Sequence, residues 1–215
     1  MPGVTYDRDC RACPRLAAFL DEVAAEFPDY HCRPVPPFGD AGARLLIVGL
    51  APGMHGANRT GRPFTGDHAG VLLYETLHAH GFATRPDAVA PDDGLELPDC
   101  RITNAVKCLP PGNKPVGAEI SNCNVYLKNE LDGLPEGAVV LALGGIAHRA
   151  VIRALGLRQA DFPFAHAAEH ELGRLLLLDS YHCSRYNTNT GRLTTGMFDA
   201  VIGTARRRIE ALADA

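Results

Sequence analysis

The first apolar pattern in the chain is Leu16, Phe19, Leu20, Val23 and Phe27, a helical spacing that begins after Pro14 and stops at Pro28. Proline fits the first turn of a helix and ends one that runs into it. The next run, Leu45-Leu46-Ile47-Val48, is continuous rather than alternating, as in a strand covered on both faces, and predicts a strand over about 44–49. Similar runs at 101–106, 138–143 and 175–181 predict three more. Helical patterns lie between and after them, over 68–80, 116–131, from Gly145 to about 155, and over 195–213. Asp67 suits the N-cap of the first of these and Gly81 its stop. Alternating strands and helices predict an α/β fold, a three-layer αβα sandwich around a central four-stranded, mostly parallel sheet. Residues 33–42, with Pro34, Pro36, Pro37 and Gly39, read as a loop, and the acidic, proline-containing 84–99 as an irregular surface excursion. No repeat or linker interrupts the pattern, so 1–215 is expected to form a single domain.

That topology predicts where chemistry sits, because ligands of open α/β sheets bind beyond the carboxyl ends of the strands. Three polar segments follow strand ends: the glycine-rich 49–67, the stretch from Asn104 to Asn113, and the stretch from His182 to Asn187. Glycines let a ligand lie directly on backbone. One aromatic, Phe64, and one carboxylate, Asp67, share that first loop, a pairing suited to chemistry on a flat ring. A phosphate-cradling loop is excluded, since Gly56-x4-Gly61 runs into Arg62-Pro63 and proline lacks the N–H required. A dinucleotide fingerprint is absent as well.

Composition narrows the class. With 46% hydrophobic and 21% charged residues the chain is globular. No apolar stretch approaches the about 20 residues of a membrane helix, and the amino terminus is polar without a signal-like apolar region. A cytoplasmic protein is expected. A net charge of −4 does not favour nucleic acid, but local placement of basic residues matters more. Arg59, Arg62, Lys107, Lys114, Arg185 and Arg192 all flank the motifs above. Seven cysteines in such a chain suggest metal rather than a disulfide framework. Cys10-x2-Cys13 is joined by Cys108 and Cys123, with fourteen residues between them, a pair too open for a zinc ribbon. A [4Fe–4S] cluster takes four thiolates from separated segments and is the expected cofactor, with zinc the alternative. Cys32, Cys100 and Cys183 are expected to be small buried residues.

Taken together, Gly49-Leu50-Ala51-Pro52-Gly53, the continuation from Asn58 to Phe64-Thr65-Gly66-Asp67, the early Cys-x2-Cys, Lys107-Cys108-Leu109-Pro110-Pro111 and His182-x-Ser184-x-x-Asn187 resemble the family 5 (UDGb-type) uracil-DNA glycosylases. The resemblance runs from Cys10 to the final helix. It implies the αβα fold, the [4Fe–4S] cluster, and excision of uracil and other deaminated bases, such as hypoxanthine, from DNA by a monofunctional enzyme. The related family 4 carries an acid at the position of Leu50, so the water-positioning role shifts to Asp67. Such an enzyme flips the nucleotide out of the duplex. Phe64 would stack on the extruded ring, Asp67 would hold water or stabilise the sugar cation, and His182 would donate to the base O2 as charge develops. Gly53 backbone and the amide of Asn104 or Asn113 would bind the base edge. Arg59, Arg62, Lys114, Ser184, Arg185, Asn187 and Arg192 would hold phosphates or fill the space that the base leaves. The expected partner is DNA containing uracil or another deaminated base, with no membrane, and the expected state a monomer. Two alternatives stand: a uracil-restricted, family 4-like enzyme, and a non-catalytic iron–sulfur protein that recognises DNA damage.

Overall fold

The computed structural model describes residues 3–213. In chain order its elements are α1 (Pro14–Glu26), β1 (Phe38–Gly39), β2 (Leu45–Gly49), α2 (Ala57–Thr60), α3 (His68–Ala79), β3 (Cys100–Asn104), α4 (Gly117–Gly133), β4 (Val139–Leu143), α5 (Gly145–Ala154), β5 (Glu169–Leu172), β6 (Leu175–Ser180), α6 (Arg185–Asn189) and α7 (Thr195–Ala213). One sheet has the order β1-β3-β2-β4-β6-β5. Its four central strands are the four read from the sequence, and all pair in parallel. The sheet has six strands rather than four, because β1 and β5 add antiparallel edges. Both edges escape the hydrophobic pattern for physical reasons. β1 is two residues long, and β5 reads Glu-His-Glu-Leu with one face in water.

Alternation within the buried strands makes the three layers. Leu45, Ile47, Val139, Leu141, Leu176 and Leu178 face one side, against Leu73 and Leu77 of α3 and Phe198 and Ile202 of α7. Leu46, Val48, Val140, Ala142 and Leu177 face the other, against Leu127 and Leu131 of α4 and Val151 of α5. A strand with both faces covered needs no polar alternate, which is why the runs read as continuous. Removing one such side chain to Ala costs about 2–5 kcal/mol.

α1 packs outside these layers, through Leu16 onto Val106 and Cys123 and through Leu20 and Val23 onto Leu109. Arg15 clamps it to α4 with two 2.8 Å bonds to Glu119, which also accepts the Val116 N–H at 2.8 Å. Residues 84–99 form no helix or strand, as expected, yet Leu95 and Leu97 are buried and Asp93 anchors the segment from inside. No helix among the described residues is long and apolar enough to cross a membrane.

Candidate active site

The carboxyl ends of all four parallel strands open on one cavity of about 480 Å³. β2 contributes Leu50 and the glycine loop, β3 Asn104, β4 Leu143 and Gly144, and the end of β6 His182. Gly53, Phe64, Asp67, Asn113, Ser184 and Arg185 complete the wall, so eight residues expected there from sequence line a single space. The β4 exit was not anticipated. Its Gly144-Gly145-Ile146 wall carries no chemical group that a sequence reading would single out, and only topology places it.

The loop's glycines are fixed by the neighbours they touch. A Cβ on Gly49 would stand 2.3 Å from Asn104 Oδ1 and 2.8 Å from the Phe64 ring, and one on Gly56 would stand 2.6 Å from Asp67 Oδ2. These residues are small so that a ring, an amide and a carboxylate can crowd over bare backbone. Phe64 itself is buried with a φ of 54° and stacks on His182 at 5.9 Å between ring centroids.

Asp67 fills two roles at once. Its Oδ1 caps α3 by accepting the Gly70 N–H at 3.0 Å, while its side chain also lines the cavity. Burial raises its pKa, and the helix N-H groups of Gly70 and Ala69 pull against that rise. His182 is pushed down to about 4 by burial, so its ring is neutral near pH 7.

Among the described residues, three buried side-chain polar atoms have no partner: Asn58 Oδ1, Asn104 Oδ1 and His182 Nδ1. The last two belong to cavity-lining residues. An unpaired buried acceptor costs about 1–3 kcal/mol, which a ligand bonding to it recovers.

The basic residues divide. Arg59, Lys114, Arg185 and Arg192 are exposed. The Arg59 guanidinium lies against Gly66, and that of Arg192 covers the Tyr181 ring at 4.5 Å. Arg62 is not a phosphate ligand. It is 4% exposed, bidentate to Asp93 at 2.9 and 2.7 Å, bonded to Thr65 Oγ1 at 2.8 Å, and stacked on Phe38. Lys107 is likewise buried, its Nζ on Thr103 Oγ1. Asn187 uses its amide N–H on the His182 carbonyl at 2.8 Å, so it ties down the His182 loop and does not reach outward. Ser184 caps α6 through the Asn187 N–H. Next in sequence to the cavity-lining Arg185, Tyr186 is 71% exposed, an aromatic that the sequence reading passed over. Its signal was available: a large ring in the first turn of a polar loop has no core to fill.

The four cysteines named for a cofactor converge too. Cys10, Cys13, Cys108 and Cys123 line a second hollow with Leu16, Val106, Asn122 and Tyr126. Cys123 Sγ accepts the Lys107 N–H at 3.3 Å, and Cys13 Sγ the Asn122 amide at 3.7 Å. Burial raises the pKa of Cys13 and Cys123, and pushes Cys108 up to about 12. Cys32, Cys100 and Cys183 are buried elsewhere, as expected.

A sheet whose parallel strands end in a ring-stacking aromatic, a helix-capping carboxylate and a neutral histidine defines a class, and comparison with known families agrees. The model of the Uracil DNA glycosylase superfamily matches residues 36–206. The chain belongs to that superfamily and, within it, to the type-5 family. It is 49% identical over 204 residues to the Type-5 uracil-DNA glycosylase of Thermus thermophilus, covering 92% of this chain and 93% of that protein. It is 44% identical to the Type-5 uracil-DNA glycosylase of Pyrobaculum aerophilum over 86% of this chain and 83% of that one. A Type-4 uracil-DNA glycosylase from the same archaeon is 35% identical over 130 residues, 60% of this chain and 58% of that protein.

Proposed function

We propose that this protein removes uracil from DNA by hydrolysing the N-glycosidic bond, as the first step of base excision repair. The observation that carries the assignment to this cavity is the pair of orphaned atoms, Asn104 Oδ1 and His182 Nδ1, beside the Phe64 ring and the Asp67 carboxylate. Uracil presents complementary groups, an N3–H donor for the Asn104 oxygen and carbonyl acceptors for ring and backbone N–H groups. Its planar face meets Phe64, a contact worth about 1–3 kcal/mol.

The base enters by eversion from the duplex, which costs a few kcal/mol and costs least where pairing is already poor. Arg185 lines the cavity, and the exposed ring of its neighbour Tyr186 is the candidate to occupy the vacated stack. As the bond breaks, the sugar gains oxocarbenium character and the base negative charge. Asp67, as the carboxylate, stabilises the sugar and orients water toward C1′. The neutral His182 ring donates to O2 without having to lose a charge. Asn187 fixes that loop through the His182 carbonyl. Arg59, Lys114, Arg185 and Arg192 supply the phosphate contacts. Hypoxanthine and other deaminated bases are further substrates, because the 480 Å³ cavity exceeds what a pyrimidine ring needs.

The four cysteines suit a [4Fe–4S] cluster. They line one hollow, all seven cysteines of the chain are free, and the raised thiol pKa values of Cys13, Cys108 and Cys123 mean that their thiolates form only against a compensating cation. They do not close into the tight three-ligand group that His148, His170 and Asp179 form, which argues against a single zinc ion. When bound, the cluster would supply a structural cross-link between 10–13, the 106–108 turn and α4, holding the segment that leads to Asn113.

Release of uracil from a labelled duplex, followed by alkaline cleavage at the abasic site, tests the assignment. Wild type that leaves the base in place removes it. Asp67→Asn that binds the duplex without releasing base supports it. Iron and sulfide content near four each per chain tests the cluster separately.

A further inference from the structure

Outside the cysteine hollow, His148 of α5, His170 of β5 and Asp179 of β6 bring one ligand atom each to within 4.8 Å of one another. The site is closed: the side chains of His148 and Asp179 are 2% and 0% exposed, and that of His170 is 12% exposed. His148 Nε2 lies 2.8 Å from the Phe162 carbonyl, which can only accept, so that nitrogen carries the hydrogen. In the neutral ring Nδ1 is then a lone pair, and it faces Asp179 Oδ1 at 2.8 Å. His170 Nε2 faces the other carboxylate oxygen at 3.2 Å. A lone pair on His148 Nδ1 facing that carboxylate needs a proton or a metal ion shared by the two.

We propose that His148, His170 and Asp179 form a structural zinc-class metal site, which neither the cavity chemistry nor the cysteines account for. Two imidazoles and a carboxylate are a known zinc donor set, with a water completing the tetrahedron. Tetrahedral ligands at the usual bond lengths stand about 3.3 Å apart, so both nitrogen–oxygen spacings here lie within about 0.5 Å of what the ion requires. The Phe162 carbonyl on the far nitrogen of His148 is the outer-shell arrangement that fixes the ring of a ligating histidine. A fully buried carboxylate, faced by histidines that Phe164 and Phe162 pack edge-on, is costly unless a cation sits on it.

The ion would fasten three elements. His148 lies one turn into the helix whose Gly145-Ile146 start lines the cavity, and Asp179 lies three residues before His182. The intervening segment is already laid on β6, with Ala167 N–H on the Asp179 carbonyl at 2.8 Å and Tyr181 N–H on His166 Nδ1 at 3.2 Å. A metal at this corner would fix the outer wall of the base pocket.

The test starts from the holoprotein, passed over a chelating resin, given Zn²⁺ or Co²⁺ and desalted. Retention of about one zinc per chain and a higher melting temperature are expected. Bound Co²⁺ should give weak visible d–d absorption without the sulfur charge-transfer band that the cysteines would produce. His170→Ala, on the edge strand, should lose the zinc and keep its iron. Asp179→Asn, which preserves shape, should weaken zinc by more than about 100-fold. Wild type that retains no more zinc than His170→Ala overturns the proposal, as does cobalt carrying a thiolate band. A doubly protonated His148 seen by nitrogen NMR in the presence of excess zinc also overturns it, because a proton then fills the cradle.

Discussion

Two arginines three residues apart in one loop have opposite fates. Arg59 stays exposed beside the cavity, while Arg62 is sealed with Asp93, Thr65, Phe38 and the Pro91 carbonyl. Asp93 in turn accepts N–H groups from Val89, Ala90 and Leu95. Each side-chain nitrogen of Arg62 and each carboxylate oxygen of Asp93 thus has a partner. On the cavity side, Asn104 Oδ1 and His182 Nδ1 have nothing to bond. The contrast separates frame from site: saturated polar networks hold shape, and unsaturated ones wait for a ligand.

Breaking the frame should have the largest effect. Arg62→Met leaves Asp93 buried without its partner and should cost about 3–5 kcal/mol in denaturant unfolding. The Arg62 guanidinium holds the Asp93 carboxyl well below the usual range. A depressed carboxylate contributes stability above its unfolded pKa, about 3.9, and loses it as pH falls further. The gap between wild type and variant should therefore narrow below about pH 4. A gap constant from pH 7 to pH 3 contradicts the ion-pair account.

Asp67→Asn should lower single-turnover base release by about 10³-fold, or roughly 4 kcal/mol, with duplex affinity nearly unchanged. His182→Ala should cost about 10²-fold. Wild-type kcat/KM should fall only on the acid side, because Asp67 and the neutral His182, near 4, both need to be deprotonated. Loss of activity between about pH 7 and 9 would show a protonated group at work that neither residue supplies.

The smallest effect sharpens the division of the basic residues. With Arg62 inside, four exposed cations remain, and log affinity against log salt should slope by about −3.6. Arg59→Ala should reduce that slope by about one unit and weaken all sequences alike. An unchanged slope places Arg59 away from the DNA.

The legible parts of the sequence were those with strong periodicity or paired chemistry. Four continuous apolar runs specify the parallel centre, and three polar strand exits foretell that Phe64, Asp67, Asn104 and His182 meet. Arg62 and Asn187 were read outward because charge and polarity in a motif say nothing of which way a side chain turns. Asp93, which turns Arg62 inward, lies 31 residues later in a stretch that looks like surface. The edge strands were hidden by brevity in β1 and by polarity in β5. The His148–His170–Asp179 group had no short spacing to betray it, since its members come from three elements.

Phe64 adopts a left-handed backbone that an L-residue enters at a cost of about 1–2 kcal/mol, and Gly70 makes this possible, since a Cβ there would lie 1.9 Å from the Phe64 carbonyl. The aromatic platform is thus held under tension by the first turn of α3, the same turn that Asp67 caps. Thermal loosening of that single turn would release the ring and misdirect the carboxylate together, so heat inactivation should begin at the amino end of α3 while the sheet behind it is still intact.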